Sequence, residues 1–126
     1  MNDPFDLNRY QFVEDEKQGF VECLPKMKIA NEDDALELVG FCGENETDRL
    51  LMYSENLPEE FFDLSTGLAG KILLKFSNYR IILAAVITCD RIGDGRFYEM
   101  VCETNRGKEF RVFESRPDAI SWFSSF

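Results

Sequence analysis

"FFDLSTGLAGKILLKFSNYRIILAAVI", Phe61–Ile87, is the stretch on which the fold turns. In its first half Leu64, Leu68, Ile72, Leu73 and Phe76 recur at helical spacing. "NLPEEFF" before it places Pro58 and two glutamates at a first turn, so a helix is predicted over 58–77. Asp63 or Ser65 is the candidate N-cap of its regular part, with "PEEFF" as a preceding turn. The second half, "RIILAAVIT" (80–88), shows no apolar–polar alternation, as in a strand buried on both faces. A helix running straight into such a strand is half of a parallel crossover.

The same pattern extends outward. "YQFV" (10–13) and "GFVECL" (19–24) flank the polar "EDEKQ" and read as a hairpin. "IANEDDALELVGFCG" reads as a helix with Asn31 as N-cap, an acidic first turn and Gly43 as its stop. "RLLMYS" (49–54) is a strand, "RFYEMVCET" a helix with Phe97, Met100 and Val101 inward, and "KEFRVFES" a strand. Ser115, Pro117 and Asp118 open a last helix burying Ala119, Ile120 and Phe123, with Trp122 at its edge. The order ββαβαβαβα predicts a single α/β domain over 10–126, preceded by a loose leader at 1–9. Its sheet is expected to be mixed, mostly parallel and about five-stranded.

Composition narrows the function classes. The chain has 126 residues, 44% hydrophobic and 13% aromatic, enough for one real core. A net charge of -10 argues against nucleic acid or anionic membrane as partner. The absence of histidine removes Ser-His-Asp and Cys-His catalysis. Cys23, Cys42, Cys89 and Cys102 have no C-x-x-C spacing, and most sit in apolar runs that suggest burial, so no metal site or cofactor is assigned. The N-terminus lacks signal-peptide character and no apolar run reaches membrane-spanning length, so a cytoplasmic, bacterial-type soluble protein is the expected class.

Two groups of residues are the candidate sites. The first is Asp63, Ser65, Thr66, Gly67 and Gly70, a helix start that presents N–H groups and two hydroxyls for anion binding or phosphorylation. The bland alternative is packing: two glycines three apart suggest close approach by a neighbouring backbone. The second is the triplets Asn78-Tyr79-Arg80 and Asn105-Arg106-Gly107, each before a strand and so on one sheet edge; Lys75, Tyr79, Arg80, Asn105 and Arg106 are the anion-binding candidates. The alternative there is helix C-terminal capping around Asn105 and Gly107. Ser54, Asn56, Cys89, Asp90, Arg91 and Ser115 fall at the opposite, carboxyl-end edge. The acidic runs "GENETD" and "ENLPEE" lack a calcium-loop pattern and read as solvated surface.

The blocks Phe61–Gly70, Lys75–Arg80 and Glu103–Gly107, with a closing "DAISWF", resemble the bacterial family called domain of unknown function 4180. That resemblance carries motifs without an activity. A more distant likeness is to STAS domains, the fold of anti-sigma-factor antagonists, which share the element order. Their Asp-Ser-x-Gly-Leu helix start is phosphorylated to switch partner binding. The comparable residues here are Asp63, Ser65, Thr66, Gly67 and Leu68, with Leu64 intervening after Asp63. What this resemblance implies is a regulatory or protein-interaction module. The alternatives are an anionic-ligand binder or enzyme using Lys75, Arg80, Asn105 and Arg106, and a structural homo-oligomer subunit rich in aromatics.

Overall fold

The computed structural model describes residues 9–14 and 18–126. Five strands form one sheet in the order of the chain: β1 (Tyr10–Glu14), β2 (Gly19–Cys23), β3 (Arg49–Tyr53), β4 (Ile82–Val86) and β5 (Phe110–Phe113). β1 pairs antiparallel with β2, and the remaining pairs are parallel. Six α-helices accompany them among the described residues: α1 (Glu32–Glu44), α2 (Glu59–Phe62), α3 (Leu68–Asn78), α4 (Cys89–Ile92), α5 (Arg96–Thr104) and α6 (Arg116–Phe123).

The sequential strand order dictates the layers. Right-handed crossovers between successive neighbouring strands all fall on the same side of a sheet. α1, α3 and α5 accordingly share the larger core, with Leu38, Ile72, Phe76, Phe97 and Val101 packed on Val21, Leu50, Met52, Leu83 and Ala85. The opposite face is left to α6, whose Ala119, Trp122 and Phe123 close over Phe20, Leu51 and Ala84. β4 confirms the doubly buried reading: Leu83 and Ala85 face one layer, Ala84 the other, and all three are buried.

Local signals act as expected at several ends. The Asn31 side chain accepts from the Asp34 N–H at 3.0 Å, and the Ser115 hydroxyl caps α6 through Asp118. Gly43 does not end α1; the helix runs to Glu44 and Asn45 is its C-cap. Arg9, assigned to a loose leader, is anchored: its guanidinium grips Glu37 of α1 at 2.8 and 3.2 Å. The rest of that leader, and the hairpin turn at 15–17, lie outside the described residues.

The predicted continuous helix over 58–77 is broken. α2 ends at Phe62, a 3-10 turn spans Leu64–Thr66, and Gly67 has φ 78° at the start of α3. Asp63 caps the 3-10 turn and Gly67, not Asp63 or Ser65, is the N-cap of α3. Helical spacing of leucines survives such a break because three turns in sequence still point their apolar residues at one core. The close-approach reading of Gly67 and Gly70 fails as well. A Cβ at either position would meet nothing within 4 Å beyond its own local backbone. Close approach occurs at Gly19 instead, where a Cβ would lie 2.5 Å from the Phe12 ring tip. There the ring lies over a strand glycine and replaces the side chain it lacks.

Candidate functional site

Asp63, Ser65 and Thr66 form a self-bonded, exposed turn. The Asp63 carboxylate accepts from the Ser65 N–H at 3.0 Å and from the Ser65 hydroxyl at 2.6 Å. These bonds, the hydroxyl's first, hold the Asp63 carboxyl below its ordinary range. The Thr66 hydroxyl donates to the Glu60 carbonyl at 2.7 Å and the Asp63 carbonyl at 2.9 Å, and accepts from the Leu68 N–H at 3.2 Å. One hydroxyl thereby joins α2 to α3. Ser65, Thr66, Gly67 and Gly70 are all exposed. Nearby on α2, Glu59 binds the Arg91 guanidinium at 2.7 Å, and Arg91 stacks 4.1 Å above the Phe62 ring centre.

The basic group at the other end of α3 is dispersed. Lys75 turns to α1, 3.7 Å from Glu32. Asn105 is spent on backbone: its amide donates to the Val112 carbonyl at 3.2 Å and accepts from the Val112 N–H at 2.8 Å. Val112 lies on the edge strand β5, so Asn105 occupies the place a further strand would take. Tyr79, Arg80 and Arg106 are exposed, and Arg80 adopts φ 59°. A cleft of about 380 Å³ between α3 and α5 is lined by Leu73, Leu74, Ser77, Glu103, Glu109 and Phe110 among others, with no cation in its lining. The helix ends are thus on one sheet edge as the topology requires, while the charge facing the cleft is negative.

The carboxyl ends of the strands hold a network that sequence patterns did not reveal. Glu22 of β2, only 6% exposed, and Asn56 are the two buried polar residues among those described. Arg116 grips the Glu22 carboxylate through Nε at 2.8 Å and Nη2 at 3.2 Å. Tyr53 Oη also donates to it, as does Gln11 Nε2 at 3.2 Å. Burial works to raise the Glu22 carboxyl, but the bonds from Arg116, Tyr53 and Gln11 outweigh it and hold it low. Burial first, then the bond to Glu22, pushes the Tyr53 phenol well above its ordinary value. Beside this network lies a depression of about 350 Å³ lined by Gln11, Glu22, Cys23, Leu24, Pro25, Tyr53 and Glu55. "GFVEC" hid Glu22 because one acidic residue inside an apolar run has no partner visible in sequence; Arg116 is 94 positions away.

The remaining carboxyl-edge candidates are structural or engaged. Asn56 bonds the Leu24 and Met27 carbonyls at 2.8 and 3.0 Å and the Tyr53 N–H at 2.7 Å, pinning the loop after β2. The exposed Cys89 thiol bonds Glu114 at 2.8 Å, which raises it away from the thiolate. Cys102 is also exposed, so burial holds for Cys23 and Cys42 and not for most of the cysteines. Burial pushes the Cys42 thiol up to about 12. Among the described residues no three acidic or thiol side chains converge as metal ligands, and no helix is long and apolar enough to cross a membrane.

No curated protein and no solved structure matches the chain. A family model, Domain of unknown function (DUF4180), matches residues 16–123. That span takes in the whole of the parallel sheet, α1 to α6, the Ser65–Thr66 turn and the Glu22–Arg116 pair. The chain belongs to the DUF4180 family.

Proposed function

We propose that the protein is a regulatory, protein-interaction module of STAS-like type, with the α2–α3 segment as partner face and Ser65–Thr66 as its switch. The observation that carries this reading is the Thr66 hydroxyl, exposed yet acting as both donor and acceptor between two helices. A phosphate there cannot donate to the Glu60 and Asp63 carbonyls, and it adds about two negative charges beside Asp63. Modification would therefore re-set the junction while leaving the core alone. Leu74 and Tyr79, 61% and 53% exposed on the same helix and its cap, supply apolar surface for a partner. The anionic-ligand alternative has less support, since Lys75 and Asn105 are engaged elsewhere.

The test is affinity capture from a lysate of the source cells with wild-type, Ser65→Asp and Thr66→Asp proteins, with circular dichroism and melting checked in parallel. A species held by wild type and lost or gained in one Asp variant, at unchanged secondary structure, is the expected result. Identical capture by all three folded proteins would remove the switch.

A further inference from the structure

We propose that the depression beside Glu22 and Tyr53 is a binding site for a small organic cation, an amine or guanidinium on a short aliphatic body. The site lies at the carboxyl ends of β2 and β3, where ligands sit in open α/β sheets. It is independent of the Ser65–Thr66 reading and draws on different residues.

Three features define the ligand. The first is size: about 350 Å³ falls at the small end of ligand pockets. The second is polarity. The nearby donors are already committed to Glu22: Arg116 through two nitrogens, Tyr53 through its hydroxyl and Gln11 through its amide nitrogen. What the lining still offers is acceptors, namely the Gln11 amide oxygen and the Glu55 carboxylate, so an incoming group must donate. Lys28 donates to the Glu55 backbone carbonyl at 2.9 Å, and Glu55 is an exposed acidic residue of the lining. The third is shape chemistry. Leu24, Pro25 and the Tyr53 ring give the wall an apolar, partly aromatic side suited to methylenes and to a cation over a ring face. Glu22 itself is nine-tenths buried and already neutralised by Arg116, so the charge the depression offers an incoming cation is that of Glu55. The net charge of -10 adds long-range attraction for a cation.

The experiment is a two-dimensional amide NMR titration of the full chain in low salt with agmatine and cadaverine, with 1-pentanol and sodium sulfate as neutral and anionic controls. Saturable shifts confined to the amides of Gln11, Cys23, Leu24, Tyr53 and Glu55 are expected, with a Kd of about 1 mM or tighter for at least one cation. Glu55→Gln, an exposed change that leaves the Glu22 network intact, should weaken that Kd about five-fold. Three outcomes overturn the proposal. One is shifts spread over all acidic surfaces. Another is no saturation up to about 10 mM, a weak limit on the affinity scale. The last is equal binding by Glu55→Gln. A response to sulfate and not to the cations would assign the site the opposite sign and equally reject it.

Discussion

Glu22 is the one buried charged residue among those described. A buried carboxylate is stabilising only while its partners stay, because an isolated buried charge is strongly unfavourable. The folded Glu22 carboxyl lies below the ordinary carboxylate value. Its contribution is therefore complete above the unfolded value and is lost as pH falls through the folded one. Tyr53 acts on the other side: its raised phenol contributes fully below its ordinary 10.0 and loses that contribution as pH climbs beyond it. Glu22→Gln should lower stability at neutral pH by about 2 kcal/mol, less than a fully buried pair would cost because Arg116 stays 44% exposed. It should also flatten the fall in melting temperature between about pH 5 and about pH 3. Urea denaturation and thermal melts across that range check both, and an unchanged acid limb would show that Glu22 is not the group responsible.

At the scale of elements, the junction from α2 to α3 separates two glycines that look alike in sequence. Gly67 stands at φ 78°, a backbone conformation costly for any side chain, with open space around it. Gly70 stands inside the first turn of α3 with equally open space and ordinary helical angles. Gly67→Ala should thus destabilise by about 1 kcal/mol, whereas Gly70→Ala should stabilise by about 0.5 kcal/mol. Denaturant midpoints of the two variants give the sign directly, and a loss in both would mean the α3 start is packed against something. Periodicity made this segment legible as helical and could not show the break, since a 3-10 turn and two helices feed one core with nearly the same spacing. Capping residues are another matter. Asn31 and Ser115 act as sequence reading expects because a cap is a bond across three residues.

For the whole molecule, the open question is how a five-stranded sheet avoids adding a sixth strand. On the β5 side Asn105 answers both outward groups of Val112. Asn105→Ala leaves that edge unpaired, costs about 1–2 kcal/mol, and should shift the protein to larger species as concentration rises. Light scattering of wild type and variant side by side measures this. Equal mass at every concentration would show that the edge is guarded some other way. The same wild-type measurement tests the homo-oligomer reading. Asn105 also shows what sequence leaves open at the second candidate site: its side chain matches an anion-binding or a structural role in type, and its bonds to Val112 are visible only in the fold.

The sequence by itself determined the strand order, the mixed and mostly parallel sheet, the doubly buried β4 and the caps at Asn31 and Ser115. Each of these is recorded in neighbours a few residues apart or in a period of two or three and a half. Tertiary structure alone decided what Glu22, Asn105 and Lys75 do. Glu22 and Arg116 meet only because α6 folds back over the face that right-handed crossovers leave uncovered. Lys75 points to Glu32 only because α1 and α3 share a layer. Charge pairs between distant elements leave no local periodicity, so the folded chain is the first place they can be read.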